Sequence, residues 1–375
     1  MTTVQARRPL LVVCGEASAD LYTGRLLSEL RRRRPEIAPF GAGGAHCRAA
    51  GMEVVVPLEQ LNVMGFSEVV ARLGSLLRAR RLLVQEAQRR DARAALLVDF
   101  PDFNLSLARI LKRRGFRVCY YIAPTVWAWR ERRLELLRRH IDLLLLIFPF
   151  EPAYFAGKGI AALFVGHPLV EATRPLQSRA QVREQLGAGP DQLLLALLPG
   201  SRPHEIHRIF PVLSAVVERL RQRRDLVVAV GTPGVSESID RMGEVPTLRT
   251  PDLLAASDFA LIKSGTATVE AAIHGVPFVV VYRASGLTWS IARSQVKVRF
   301  ASMVNLIAGR EVVPEFLQSR MRPNLITAAV ERLLDDRGRL EQMRKDLAEV
   351  RAQLQGEGAS AKGASAVDRF LSETA

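Results

Sequence analysis

The segment Asp99-Phe100-Pro101-Asp102-Phe103-Asn104 follows directly on an apolar run, 94–98. If that run is a strand, Asp99 and Asp102 turn out at its carboxyl end, where a carboxylate can act as general base towards a hydroxyl. Asp102 or Asn104 could instead cap the next helix, but capping needs only one of these polar groups. A further carboxylate, Glu16, stands in Cys14-Gly15-Glu16-Ala17-Ser18-Ala19-Asp20, after the apolar run 10–13. Gly15 permits a tight turn and Ser18 or Asp20 can cap a helix, which leaves Glu16 without a capping duty and facing the strand end.

Two other segments suit an anion. Gly200-Ser201-Arg202 sits between an apolar run and a helix, where backbone N–H groups, the helix dipole and a guanidinium converge on a diphosphate. Ser264-Gly265-Thr266 repeats the pattern, and Glu270, one turn into its helix, can accept hydrogen bonds from ribose hydroxyls. A phosphate loop followed one turn later by a carboxylate is what a nucleoside diphosphate site needs. Gly41-Ala42-Gly43-Gly44 lets a backbone approach a phosphate or sugar, but lacks a full dinucleotide fingerprint. Trp127 and Trp129, beside basic residues, can stack on a sugar, pack on lipid or belong to the core. His204 and His207 have no Asp or Cys partner nearby and read as a helix face rather than metal ligands, so no metal site is expected. Asn305 and the stretch 310–318 are polar residues in an apolar region, and composition leaves them ambiguous.

The elements that must hold these residues are strands alternating with helices. Apolar runs at 10–13, 94–98, 118–122, 143–147 and 163–165 are short and bounded by turn residues, with helical three- and four-residue periodicity over 21–34 and 104–114. The pattern breaks over 171–185 and restarts at 193–198, 226–230, 259–262 and 276–281, with helices from His204 and Thr266. Uninterrupted apolar strands between helices predict parallel sheets covered on both faces, an α/β doubly wound fold, with ligands at the carboxyl ends of the strands. The expected division is 1–170, 171–340 and a helical tail 341–375, with a cleft between the first two and a flexible Gly/Ala/Ser break over 356–365.

Composition sets the outer bounds. A chain of 375 residues, 48% apolar, can fill two cores. The net charge of +15 attracts anions in general, whether nucleic acid, lipid headgroups or phosphorylated substrates, and a solvated Arg-rich surface explains it as well. Aromatics are 6%, the Arg are dispersed and no binding module is present, which argues against a nucleic-acid partner. Cys14, Cys47 and Cys119 form no Cys-x-x-Cys pair and read as small buried residues in a reducing compartment. The apolar stretch 10–14 is too short for a signal-peptide core, and the longest apolar run, 143–150, falls short of a membrane span.

Taken in order, these segments resemble the lipid-A-disaccharide synthase family: Gly15-Glu16-Ala17-Ser18 with Asp20, Gly41-Ala42-Gly43-Gly44, Asp99 to Asn104, Val126-Trp127-Ala128-Trp129, Phe148-Pro149-Phe150-Glu151, Gly166-His167-Pro168-Leu169, Gly200-Ser201-Arg202, Ser264 to Glu270, and Asn305 with 309–318. The resemblance implies a GT-B fold of two Rossmann-like domains. It implies inverting transfer from UDP-2,3-diacylglucosamine to the 6-hydroxyl of diacylglucosamine 1-phosphate, giving the β-1,6 disaccharide of lipopolysaccharide's lipid A. No cofactor is implied. The setting it implies is cytoplasmic, with peripheral attachment to the anionic inner-membrane surface and room for a homodimer. Asp102, with Asp99 as the alternative and Glu16 beside them, is then the expected base. Gly200, Ser201, Arg202, Ser264, Gly265, Thr266, Glu270 and Asn305 would hold UDP, while Ser18, Asp20, Gly43, Gly44 and Trp127 would lie on the acceptor side. Ala19, Tyr22 and Thr23 stand where the family has Gly, His and Gly, and Met303-Val304 where it has Leu-Pro. A left-handed backbone at Ala19 would cost about 1 kcal/mol. The competing readings are another GT-B enzyme, such as a UDP-GlcNAc 2-epimerase or a lipid-linked sugar transferase, a nucleic-acid-binding protein, and a catalytically silent relative.

Overall fold

The computed structural model describes residues 8–61, 69–128, 133–232, 245–284 and 298–373, with the backbone alone for 69–73. By compactness the chain forms two units, Met1–Ala172 with Gln355–Ala375, and Thr173–Leu354.

In the first unit the strands are β1 (Arg8–Cys14), β2 (Ile37–Gly43), β3 (Glu53–Pro57), β4 (Ala94–Val98), β5 (Arg117–Tyr121), β6 (Leu143–Leu146) and β7 (Ala162–Phe164). They pair in parallel in the order β3-β2-β1-β4-β5-β6-β7. Every residue of β4 is buried, as is the end of β1 from Leu10 on. Strands covered on both faces have no polar side to show, so they read as apolar runs rather than alternations. The second unit repeats the design with β8 (Leu193–Leu198), β9 (Leu226–Thr232), β10 (Thr247–Arg249), β11 (Phe259–Lys263), β12 (Phe278–Tyr282) and β13 (Glu315–Leu317). These also pair in parallel, in the order β10-β9-β8-β11-β12-β13. Each sheet therefore runs outwards in one direction from its first strand and then in the other. The reversals fall between β1 and β4 and between β8 and β11. Loops leaving neighbouring strands in opposite directions open a crevice at the carboxyl ends, the ligand position in sheets of this kind.

The stretch 171–185, where the strand and helix pattern breaks, carries a helix, Arg179–Gln185, opened by a capping box in which Ser178 and Gln181 exchange hydrogen bonds. The residues expected as a tail divide between the units: the helix Arg337–Gln353 belongs to the second, and the helix Ala359–Ser372 to the first. The expected flexible break over 356–365 is largely that last helix. Its small residues form a packing face rather than a loose linker: Ala359, Ser360, Gly363 and Ala364 are buried, and a Cβ on Gly363 would lie 3.0 Å from Leu26 Cδ1. Where the chain returns, Gly166 (φ +87°) leaves room for the carbonyl of Gln355, 2.2 Å from where a Cβ would stand. Among the described residues no helix is long and apolar enough to cross a membrane.

Candidate active site

At the reversal of the first sheet, β1 delivers Glu16 and β4 delivers Asp99. Asp99 and Phe100 are consecutive non-glycine residues with left-handed backbones (φ 47° and 48°), a strain that the surroundings must impose. They do so through Asn104, one turn into the helix Pro101–Lys112. Its Nδ2 donates to the carbonyl oxygens of Asp99 (2.8 Å), Val98 (3.1 Å) and Val13 (3.3 Å). Tyr120 Oη adds a 2.6 Å hydrogen bond to the Asp99 carbonyl. The Phe100 ring fills the space beside Gly15, where a Cβ would come within 2.3 Å of it. Burial, with the nearby Glu16 charge, pushes the Asp99 carboxyl up to about 6, although the Phe100 N–H pulls the other way. Asp102 has a different setting. Its side chain, in the first turn of the helix, is 79% exposed and paired with Arg133. Of the two carboxylates that the sequence offers as base, the secluded one is Asp99.

Asp20 caps a neighbour rather than its own helix. The N-cap of the helix Ala17–Arg33 is Glu16 and no side chain caps it, while Ser18 is exposed in the first turn. Asp20 instead accepts from the backbone N–H groups of Gly44 (2.7 Å), His46 (2.9 Å) and Cys47 (3.2 Å). Burial opposes its charge, but the Cys47 side chain and these amides prevail and hold the carboxyl below its usual value. Gly44 must be glycine, since a Cβ would stand 2.7 Å from Asp20 Oδ2, and a Cβ on Gly43 would crowd Cys47 at 3.0 Å. The glycine loop expected to receive a substrate thus already holds an internal carboxylate. Cys14 and Cys47 (Sγ–Sγ 3.8 Å) complete a buried trio with Asp20. The Cys14 hydrogen bond and burial push the Cys47 thiol far up. Ala19 lies in the helix, so the left-handed cost considered for it does not arise.

Beyond β5, β6 and β7 the same edge is aromatic. Trp127 Nε1 donates to Glu151 Oε1 (3.2 Å), and its ring meets Phe150 and Phe148 edge-on at 4.8 and 6.3 Å. Glu151 also accepts from the N–H groups of Phe148 and Ile147 at 2.9 and 3.0 Å, yet burial pushes it up to about 7. His167 lies 5.1 Å from Phe148, with burial pushing it down to about 3. Trp127 is therefore half-buried and tied to the core, while Trp129 lies outside the described residues.

The reversal of the second sheet gathers cations. Gly200 (φ +116°) lies in the turn after β8, and Arg202 is the exposed N-cap of the helix Pro203–Arg221. Gly265 caps the helix Thr266–His274 after β11. Among the described residues the backbone amides of Ser201, Arg202, Gly265 and Thr266 have no protein acceptor. Lys263, the last residue of β11, was not singled out from the sequence. Its Nζ pairs with Glu205 Oε1 at 2.9 Å, and only its place at the end of an apolar strand could have signalled it. His204 and His207 are exposed on their helix.

Ser264 Oγ is committed to the carbonyl of Ala301 (2.7 Å). Asn305, expected to touch the donor, spends its whole capacity internally. Its Nδ2 donates to Val313 O (2.8 Å) and Glu315 Oε1 (2.9 Å), and its Oδ1 accepts from Val312 and Val313 N–H at 2.8 and 3.0 Å. It shapes the 301–315 segment rather than offering a free hydrogen bond. Glu270 accepts from Thr173 Oγ1 at 2.9 Å, and the same hydroxyl lies 3.1 Å from His274 Nε2. Burial pushes Glu270 up to about 7 against the pull of Thr173 and Arg249.

Known proteins similar to this chain share its family and its fold. The family model described as lipid-A-disaccharide synthetase matches residues 10–370. A lipid-A-disaccharide synthase of Anaeromyxobacter dehalogenans (strain 2CP-1 / ATCC BAA-258) is 44% identical over 363 residues, covering 93% of this chain and 94% of that protein. Among solved structures, the UDP co-structure of S. aureus MnaA is similar with a TM-score of 0.68 at 13% identity, over 97% of each chain. The calicheamicin glycosyltransferase CalG4 gives 0.61 at 17% identity, over 99% of this chain and 100% of that one.

Proposed function

The chain belongs to the lipid-A-disaccharide synthase family, and on that premise we propose which residues carry its reaction. It is a GT-B glycosyltransferase that takes a nucleotide-sugar donor. The proposed donor is UDP-2,3-diacylglucosamine, and the proposed acceptor is 2,3-diacylglucosamine 1-phosphate. The observation that carries the assignment of residues is the pair of sheet reversals, one lined by acids and the other by cations and by amides without a protein acceptor among the described residues.

Asp99 takes the proton from the acceptor 6-hydroxyl. A carboxyl titrating at about 6 is ionised at neutral pH and still basic enough for the task. The oxygen attacks the anomeric carbon from the face opposite the diphosphate, which gives inversion. UDP departs towards Arg202 and the amides of Ser201, Gly265 and Thr266, which stabilise charge on the leaving phosphate. Glu270 holds the ribose hydroxyls, with its rotamer fixed by Thr173. Asp102 is a helix-end carboxylate paired with Arg133, and Asn104 positions Asp99.

The membrane role rests on the charge of +15 and on the helix Val69–Arg89, which buries Ala79 and Leu83 while exposing Arg78, Arg81 and Leu82. A basic face with an apolar residue suits an anionic leaflet. The test of the reaction is to supply both lipid substrates and follow UDP and disaccharide together. Formation of both, lost in Asp99→Asn and retained in Asp102→Asn, is the expected result. UDP without disaccharide would leave the donor site standing and remove the acceptor assignment.

A further inference from the structure

We propose that Lys263 is a diphosphate-binding residue of the donor site and that Glu205 is its tether, an inference that rests on the nucleotide reading above. Four residues of β11 are buried and the fifth is a lysine, placed where the strand ends at the sheet reversal. Its ammonium is 2.9 Å from Glu205 Oε1, and both side chains are mostly secluded, at 19% and 14% exposure. The Tyr282 ring, at the end of the neighbouring β12, lies 5.8 Å from Nζ.

The two glycine turns locate this pair. A Cβ on Gly265 would be 3.6 Å from Lys263 Nζ, and a Cβ on Gly200 would be 2.7 Å from Glu205 Oε2. The ammonium and its carboxylate thus lie against the two backbone turns whose amides have no protein acceptor among the described residues. A phosphate received by those amides comes within reach of Nζ.

Charge gives the pair its logic. Glu205 stands in the first turn of the helix whose N-terminus would receive the anion, and alone it would repel a diphosphate. Lys263 cancels that charge. An ammonium has three donors, so it can keep one on Glu205 and give the others to phosphate oxygens. Glu205 then aims the cation at the ligand, and the cation spares the ligand the carboxylate. An ion pair that only fastened β11 to the helix would need no position beside the glycine turns.

The experiment is calorimetric titration of the full chain with UDP and, separately, with uridine. The proteins are wild type, Lys263→Met, Lys263→Arg, Glu205→Gln and the double variant Lys263→Met/Glu205→Gln, each checked by melting temperature. Lys263→Met should weaken UDP about ten- to a hundredfold and uridine less than about threefold, with Lys263→Arg close to wild type. The double variant should regain only the part of that loss that the uncancelled Glu205 charge causes, and stay weaker than wild type for UDP. Three results overturn the proposal: unchanged UDP affinity in Lys263→Met, an equal loss for uridine and UDP, or full recovery to wild-type affinity in the double variant, which would reduce Lys263 to a neutraliser of Glu205. A wild-type protein that fails to bind UDP would bring down the nucleotide reading itself, and with it the proposal, before any substitution is made.

Discussion

The carboxyl ends of the two sheets occupy the same place in the same strand order, yet they carry opposite chemistry. After β1 and β4 stand Glu16 and a secluded Asp99, whereas Arg202 follows β8 and Lys263 ends β11. The glycine turns diverge as well. At the first sheet the amides of Gly44, His46 and Cys47 are already taken by Asp20, whereas at the second those of Ser201, Arg202, Gly265 and Thr266 have no protein acceptor among the described residues. Topology supplies the position, and the few residues at each strand end set its charge and whether its amides are already taken.

The largest test of this contrast is Asp99→Asn. It should lower kcat by about 10²- to 10⁴-fold while leaving UDP affinity unchanged, with Asp102→Asn losing less than about threefold. The reverse ranking, read from initial rates, would return the base to the exposed helix end. Above pH 6 the same variant should melt at a higher temperature than wild type. The carboxyl of Asp99 sits higher in the folded state than in the unfolded chain, so ionising it on the way to neutral pH costs stability.

At the other sheet, Arg202→Ala should weaken UDP by about tenfold or more without altering the pH profile of turnover. An unchanged Kd would take Arg202 out of the donor site. The two regions should also separate by pH. With saturating donor, the acceptor kcat/KM should fall about tenfold per unit below pH 6, as Asp99 takes up a proton. Affinity for UDP should fall earlier, below about pH 7, as Glu270 protonates and stops accepting from ribose. A single shared midpoint in titrations of both quantities would contradict the assignment of separate carboxylates. The smallest effect expected is that of Gly44→Ala, whose methyl would press on Asp20. It should cost about 1–3 kcal/mol in denaturant melts and leave UDP affinity alone.

Much of this was legible along the chain. Ala94–Val98 and Leu193–Leu198 are strands with the bounds that their apolar runs predict, and the helix Thr266–His274 begins where Gly265 places it. Local pattern suffices there because a strand buried on both faces must be apolar throughout, and a helix must begin at a residue that leaves its first amides open. The strands β3, β10 and β13 were missed: each stands at a sheet edge with a single buried residue, so burial on both faces does not force an apolar run on it.

The sequence by itself determined the parallel α/β layers, the carboxyl-end positions of Glu16, Asp99, Arg202 and Glu270, and the ordered motifs that mark the family. Only the tertiary structure decided which of these groups is secluded, which is spent and which faces an open turn. Asp99 differs from Asp102 by burial, and Asn305 is consumed by Val313 and Glu315. Lys263 meets Glu205 from another element, and Gly363 fits against Leu26 although over three hundred residues separate them. The physical reason is one of range. Helix and strand patterns arise from neighbours a few residues apart, whereas desolvation, ion pairing and hydrogen-bond saturation depend on groups that meet only when the chain has folded.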